Sequence, residues 1–408
     1  MGPSPNDEGG VPYAATLLLE GLAGAGVEVD CFVGTDEADL PQRLLRTEGL
    51  RFFCEPPRWR QGAWYSRTAL GTFLTGQGAR AWAQSRLARL IAHRHGERPY
   101  SAYYQFSQIE LGRIRRLRRS LPPIVIHPEV HIAGELRWHR AEVALARRSE
   151  TRARNLTVRA MLTARAAAQR RDIRLARLVV SPSRRFAAHL EADYGVSAER
   201  IAVVPNPIDL ERFAPEPGEV PGPPYKLLFV SRMAVRKGVE MVVGLSTRLA
   251  DLAGRVQIQV AGARGLWTDY RALLADLDGR VAEYVGPVSP HDLPRLYRSA
   301  HALIQPSLYE PFALTVGEGF ASGLPAVVSD EVGAAEGIDP AVARLFPAGD
   351  LDRFEAAVRD LVGELERGAS ADLGRRARAE AERAFAPGTV ATQLALALER
   401  AAGQRRAA

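Results

Sequence analysis

The sequence predicts an α/β protein made of two doubly wound parallel-sheet domains, and three features carry that expectation. The carboxyl half alternates short apolar runs with helix-compatible segments, the pattern of successive β-α-β units. A length of 408 residues with 46% hydrophobic content suffices for two cores. Residues 215–224 hold five prolines and two glycines, the strongest linker signal in the chain. The reading therefore places an amino-terminal domain at 1–214, a second domain at 215–385 and a closing helix at 386–408.

Taken in order, residues 5–10 form a turn that leads into a helix at 12–24, where Pro12 suits the first turn and Leu17, Leu18 and Leu22 share a face. Residues 27–33 alternate as a half-buried strand with Cys31 inward. Cys31 and Cys54 are too few for a disulfide framework and lack metal-site spacing, so Cys31 reads as a core thiol. Residues 54–78 interleave Trp59, Trp64, Tyr65 and Phe73 with Arg58, Arg60 and Arg67, either as an irregular excursion near an acceptor cleft or as ordinary surface packing. A helix at 79–95, a strand at 100–106, a helix at 109–120 and a strand at 123–127 follow. That strand ends in His127, with His131 just beyond; a histidine there faces either a ligand cleft or the core. Residues 133–174 contain no proline and are almost continuously helical in composition, and a strand at 175–181 follows. Ser183 caps a helix that Gly195 ends, and a strand at 201–205 closes the domain.

The second domain opens with a strand at 225–230, a loop at 231–238 and a helix to about Leu252. Strands at 256–260 and 281–285, a helix at 290–299 and a strand at 301–306 continue the alternation. A helix at 315–322 is stopped by Gly323 and Pro325, and residues 326–329 form another buried strand.

Glu310 and Glu318 stand eight positions apart across the loop that opens into the helix at 315–322. Ligands of open parallel sheets sit at the carboxyl ends of the strands, and this loop is such an end. Free N–H groups of about residues 313–316 would face an anion there, aided by the helix dipole. Glu318, read as lying in the first turn, can accept hydrogen bonds from two vicinal hydroxyls, as a ribose presents, while Glu310 reaches another part of the ligand. The pair reads as a grip for a sugar nucleotide, against the plainer alternative of a capping and a solvated glutamate. Gly9 and Gly10 form a turn that lets a diphosphate approach the backbone, although such a turn also occurs without a ligand.

The formal charge is +7, yet Lys226 and Lys237 are the only lysines among 54 basic residues. That bias, with abundant Ala, Gly and Pro, reads as a codon-composition effect, and nucleic acid is not expected as a partner. Arg113, Arg115, Arg116, Arg118 and Arg119 cluster, as solvated charge or as a contact with anionic membrane or a phosphorylated acceptor. No apolar run reaches membrane-spanning length and no leader is evident, so the expectation is a cytoplasmic protein, with peripheral membrane contact through the arginine-rich half as the variant.

These motifs resemble the retaining glycosyltransferases of family 4, whose GT-B architecture sets two Rossmann-like domains across a cleft. The resemblance spans Glu8-Gly9-Gly10, Val203 to Asn206 with Asp209 and Arg212, Ser231-Arg232 with Lys237-Gly238, Gly286 with Val288, and Glu310 through Pro325. It implies that Arg232 and Lys237 hold the donor diphosphate and stabilise the departing charge, and that Glu318 takes the ribose and Glu310 the transferred sugar. It implies further donor contacts at Gly9, Gly10, Val288, Phe312, Ala313, Leu314 and Thr315, and a histidine beside the sugar at His127, with His131 the second choice. The implied reaction moves a hexose from a nucleoside diphosphate sugar to an acceptor hydroxyl by front-side attack, with neither metal nor cofactor. A phosphorylase-like or synthase-like enzyme, or a non-catalytic membrane-associated module of the same fold, are the alternatives. Family members usually open with an apolar strand ahead of the Gly-Gly loop, so the expectation is a strand upstream of Met1 or another segment in its place. The last helix, at 387–402, is expected to cross back to the first domain.

Overall fold

The computed structural model describes residues 4–8, 10–56, 69–146, 152–216, 222–263 and 270–403. Gly9 and the aromatic and arginine residues Arg58, Trp59, Arg60, Trp64, Tyr65 and Arg67 lie outside the described residues, as do 217–221 of the proline-rich stretch.

The first half runs α1 (Gly10–Gly24), β1 (Val29–Val33), α2 (Gln42–Leu45), β2 (Leu50–Cys54), α3 (Ala69–Glu97), β3 (Tyr103–Ser107), β4 (Ile124–Pro128), α4 (Ile132–Ala146), α5 (Arg152–Asp172), β5 (Leu178–Ser181), α6 (Arg184–Tyr194) and β6 (Ile201–Val203). Here β1 pairs with β2 in a two-stranded sheet, and β3-β4-β5-β6 form a separate four-stranded sheet, all parallel. The second half runs β7 (Tyr225–Val230), α7 (Val239–Arg248), β8 (Val256–Ala261), α8 (Arg271–Leu274), β9 (Ala282–Gly286), α9 (Leu293–Arg298), β10 (Ala302–Gln305), α10 (Leu314–Ala321), β11 (Ala326–Ser329), β12 (Ala343–Phe346), α11 (Leu351–Glu366), α12 (Ser370–Phe385) and α13 (Pro387–Gly403). Its six strands form one parallel sheet in the order β12-β11-β10-β7-β8-β9.

Parallel strands covered on both faces must be apolar on both, which is why β7 carries the run 227–230 and β10 the run 302–304. Successive residues of a strand point to opposite faces. Leu228, Leu303 and Val328 therefore meet Phe320 of α10 and Ala377 and Phe385 of α12 on one side. Leu227, Ile304 and Val327 meet Val242 and Leu245 of α7 and Phe354 of α11 on the other. The strand order reverses between β7 and β10, whose carboxyl ends open a crevice. After α12 the chain returns to the first half, where Val390 and Leu394 of α13 join Leu18 and Leu22 of α1 in one apolar cluster.

Several expectations need correction. Residues 109–120 hold no α-helix, only a tight turn at Ile114–Leu117, because their five arginines would stack like charges at helical spacing. The helical stretch expected over 133–174 comprises two helices, α4 and α5, packed against each other. α3 begins ten residues before the expected start, at Ala69 rather than 79. β2, β12, α11 and α12 had no counterpart in the sequence reading.

Candidate active site

Loops after β7, β8 and β10 are pressed together at the crevice, and two glycines permit it. A Cβ on Gly238, at φ +76°, would stand 1.9 Å from the Pro306 carbonyl oxygen; one on Gly262 would stand 1.8 Å from that of Ser231. This closeness brings the β7 loop onto the β10 loop. The Lys237 ammonium contacts Glu310 Oε2, and Arg236 Nη1 lies 4.0 Å from the same oxygen. Arg236 in turn pairs with Glu135 at 2.9 Å. Burial, with Arg236 and Arg232 nearby, pulls the Lys237 ammonium well below its usual range, while the Glu135 carboxylate opposes that loss of charge. Arg232 itself is exposed, at the outer edge of the same loop.

Ala313 caps α10 in the left-handed region, at φ +79°, a strained conformation for a residue with a Cβ. The Leu314 and Thr315 N–H groups, as the first two of the helix, have no intrahelical acceptor. Val316 N–H is taken by the Ala313 carbonyl at 3.0 Å, so the anion-facing surface is narrower than the 313–316 expected. Glu318 is the fifth residue of α10 rather than part of its first turn. It is buried and accepts a hydrogen bond from the Tyr297 hydroxyl at 2.8 Å. Burial raises its carboxyl to about 7, against the opposing effects of that hydrogen bond and of Arg212. The Phe312 ring is in the core, 5.4 Å from Phe385, which leaves its backbone alone to face a ligand; half-buried Val288 packs on the same cluster.

Arg212 links the halves beside Glu318. It donates to the carbonyls of Asp7 at 3.3 Å and Pro290 at 2.6 Å and lies 5.1 Å over the Tyr13 ring. The turn that ends at Gly10, at φ +65°, is thereby held against the second half.

His127 and His131 part company. His127 is fully buried, bonded through Nδ1 to the Tyr104 hydroxyl at 2.6 Å, and burial lowers its pKa to about 3. Its Nε2 lies 3.6 Å from Glu129, whose carboxyl burial lifts to about 7, opposed by a 2.6 Å bond from Asn206. His131 is the one that reaches the Glu310 loop, through a 2.6 Å bond between Nδ1 and the Tyr309 hydroxyl, with Asp193 at 2.6 Å on Nε2. The structure thus gathers Lys237, Glu310 and Arg232 at one loop pair and Glu318 at the adjoining helix. His127 makes no contact with them.

The profile of Glycosyltransferase Family 4 matches residues 8–212, and that of Glycosyl transferases group 1 matches residues 224–364. The chain belongs to glycosyltransferase family 4. This glycosyltransferase is 27% identical to the D-inositol 3-phosphate glycosyltransferase of Geodermatophilus obscurus, over 99% of this chain and 89% of that one. It is 30% identical to a probable transglycosylase of Burkholderia thailandensis over 59% of this chain and 65% of that protein. Among solved structures, sucrose-phosphate synthase of Thermosynechococcus elongatus superposes with TM-score 0.68 at 18% identity, over 96% of this chain and 93% of that one. Anabaena HepE in complex with UDP-glucose gives 0.61 at 18% identity, over 98% of each chain. The fold is GT-B, with its two Rossmann-like domains facing across a cleft. Of the residues that contact the candidate set, Glu135 beside Arg236, Tyr297 on Glu318 and Tyr309 on His131 had no place in the sequence-based expectation. None lies in a spacing pattern, and each matters only through a partner far away in the chain.

Proposed function

We propose that this glycosyltransferase moves a hexose from a nucleoside diphosphate sugar to an acceptor hydroxyl with retention of anomeric configuration. The observation that carries the reading is the Lys237 and Glu310 contact at the strand-order reversal, with Glu318 on the helix that leaves the same loop. In this reading Lys237 and Arg232 bind the diphosphate and stabilise the charge that grows on the leaving oxygen, a fixed electrostatic effect. The N–H groups of Leu314 and Thr315 add donors to the same anion. Glu318 accepts from the ribose hydroxyls and Glu310 from the sugar. The acceptor oxygen forms the new bond to the anomeric carbon on the face the phosphate leaves, and the departing phosphate takes the acceptor's proton. No protein nucleophile takes part. The UDP-glucose complex of HepE supports a nucleotide-sugar donor.

The test is a thermal-shift panel of UDP-, GDP- and ADP-hexoses, followed by proton NMR of the product with the stabilising donor. A ligand that binds only the folded state raises Tm with its concentration. One donor class should stabilise and yield the donor's own anomer. A panel in which no nucleoside diphosphate sugar shifts Tm, or a product of inverted configuration, sinks the reading.

A further inference from the structure

In the free protein the Lys237 ammonium is engaged with Glu310 Oε2. A diphosphate bound at the same loop draws that ammonium away, because it brings two negative charges against the single charge of a carboxylate. Glu310 is only 7% exposed, and a carboxylate so buried is costly without a cation beside it. A second cation has to be within reach before the donor arrives. Arg236 meets that requirement: its Nη1 lies 4.0 Å from the same Glu310 oxygen. Among the described residues it is the only arginine or lysine besides Lys237 within that distance of the carboxylate.

The backbone fixes Arg236 there. Gly238, in the left-handed region, closes the short turn Val235–Lys237, and the Arg236 carbonyl accepts the Leu308 and Tyr309 N–H groups at 2.8 and 3.2 Å. Those bonds tie the turn to the loop that carries Glu310. Different atoms of the guanidinium serve different partners. Nε pairs with Glu135 Oε1 at 2.9 Å, whereas Nη1 is the atom beside Glu310, 3.5 Å from the Tyr309 carbonyl. A planar fork can hold both carboxylates at once. Glu135 belongs to α4 of the first half, which packs on this turn. The Arg236 and Glu135 side chains are 21% and 24% exposed, so the pair is more sheltered than an ordinary surface ion pair and keeps the fork in one orientation.

We propose that Arg236 is a positioning residue for donor binding: Glu135 anchors its Nε, and its Nη1 takes over the Glu310 carboxylate when the donor diphosphate draws Lys237 away. This deepens the nucleotide-sugar reading and rests on it. Lys237 is released to the leaving group, and Glu310 keeps a cation beside it while it accepts from the sugar. The movement is small, from 4.0 Å to the roughly 2.7–2.9 Å of a charge-assisted bond. Because Glu135 stands on the first half, the grip on the sugar also depends on how the two halves meet.

Isothermal titration calorimetry tests the exchange, with whichever UDP-, GDP- or ADP-hexose stabilises the wild-type protein. Arg236→Met should weaken binding at least about tenfold in the wild-type background and less than about twofold in Glu310→Gln, where the carboxylate it serves is gone. A pairing of equal strength in the free and bound protein cancels from such a cycle, so a packing role leaves no trace in it. Arg236→Lys, which keeps the charge, should bind within about threefold of wild type. Arg236→Gln removes the charge but keeps a polar side chain, and repeats the comparison if the methionine variant does not fold. A loss of equal size in both backgrounds assigns Arg236 to the donor itself or to the fold, and no loss in either leaves it idle; each result overturns the proposal. Wild-type protein that binds none of the three donor classes overturns the nucleotide-sugar reading, and the exchange with it.

Discussion

At the residue scale, charge at the crevice sets the behaviour of the site. Glu318 has a carboxyl raised to about 7, above its ordinary 4.5, because it is buried. An acid whose pKa is raised by folding binds its proton more tightly in the folded state, so its contribution to stability is full below about 4.5 and lost as pH rises through about 7. Donor binding runs the other way, since the ionised carboxylate is the better acceptor for two ribose hydroxyls. The donor-induced Tm shift should therefore grow from pH 6 to pH 8, as ordinary buffers can show. In Glu318→Gln the shift should be flat with pH and weaker by about 1.5–3 kcal/mol of binding, the worth of a hydrogen bond to a charged group. Glu129, also near 7, is common to both proteins and cancels in the comparison. Lys237→Met should lower kcat by roughly a hundredfold or more, the scale of a lost transition-state donor. Because two fixed cations serve the diphosphate in this reading, adding a chelator should leave the rate unchanged; a rate that collapses with EDTA and returns with a divalent ion would reassign that task.

At the element scale, the approach of the β7 and β10 loops rests on Gly238. A methyl there meets the Pro306 carbonyl and forces a Cβ into the left-handed region, which alone costs about 1–2 kcal/mol. Gly238→Ala should thus lower the urea midpoint by at least that equivalent and weaken the Lys237–Glu310 contact, whereas Gly279→Ala, with open space around it, should do neither. The β-α-β alternation of the second half was legible as far as β11 because β7, β10 and β11 have apolar cores and α10 has a stop signal in Gly323 with Pro325, whereas β12, with Arg344 inside it, has no such run. Lys237, Glu310 and Glu318 were legible because they sit in those punctuated loops. What was hidden depends on contacts distant in sequence. β2 is only half-buried and mixes Arg51 with Phe52 and Phe53, so its pattern is not that of a core strand. That His131 and not His127 bonds Tyr309 depends on which side chain clears the end of β4, and spacing carries no such information.

At the scale of the whole molecule, the two halves meet through the same loop that carries Glu310. The Ser183 hydroxyl donates to the Pro311 carbonyl at 2.7 Å, Arg236 pairs with Glu135, and the backbone N–H groups of Arg184 and Arg185 bind the Glu336 carboxylate at 2.8 and 2.6 Å. The His131 bond to Tyr309 is buried, as is the Ser183 bond to Pro311. Burial keeps His131 neutral and Asp193 accepts at Nε2, so Nδ1 is left to accept from the Tyr309 hydroxyl. Tyr309→Phe deletes that donor while leaving the ring, and the buried Nδ1 it orphans costs about 1–3 kcal/mol. Lys237, Arg232, Glu310 and Glu318, which carry most of the donor in this reading, belong to the second half, so the donor-induced Tm shift should survive the change. Assembly of the cleft should not: kcat should fall while donor KM holds, the signature of an interaction that matters after the donor is bound. X-ray scattering should show a larger radius of gyration for the variant without donor. Superimposable scattering curves and an unchanged kcat would mean that the other interdomain bonds suffice to set the cleft, and that the His131–Tyr309 pair serves packing alone.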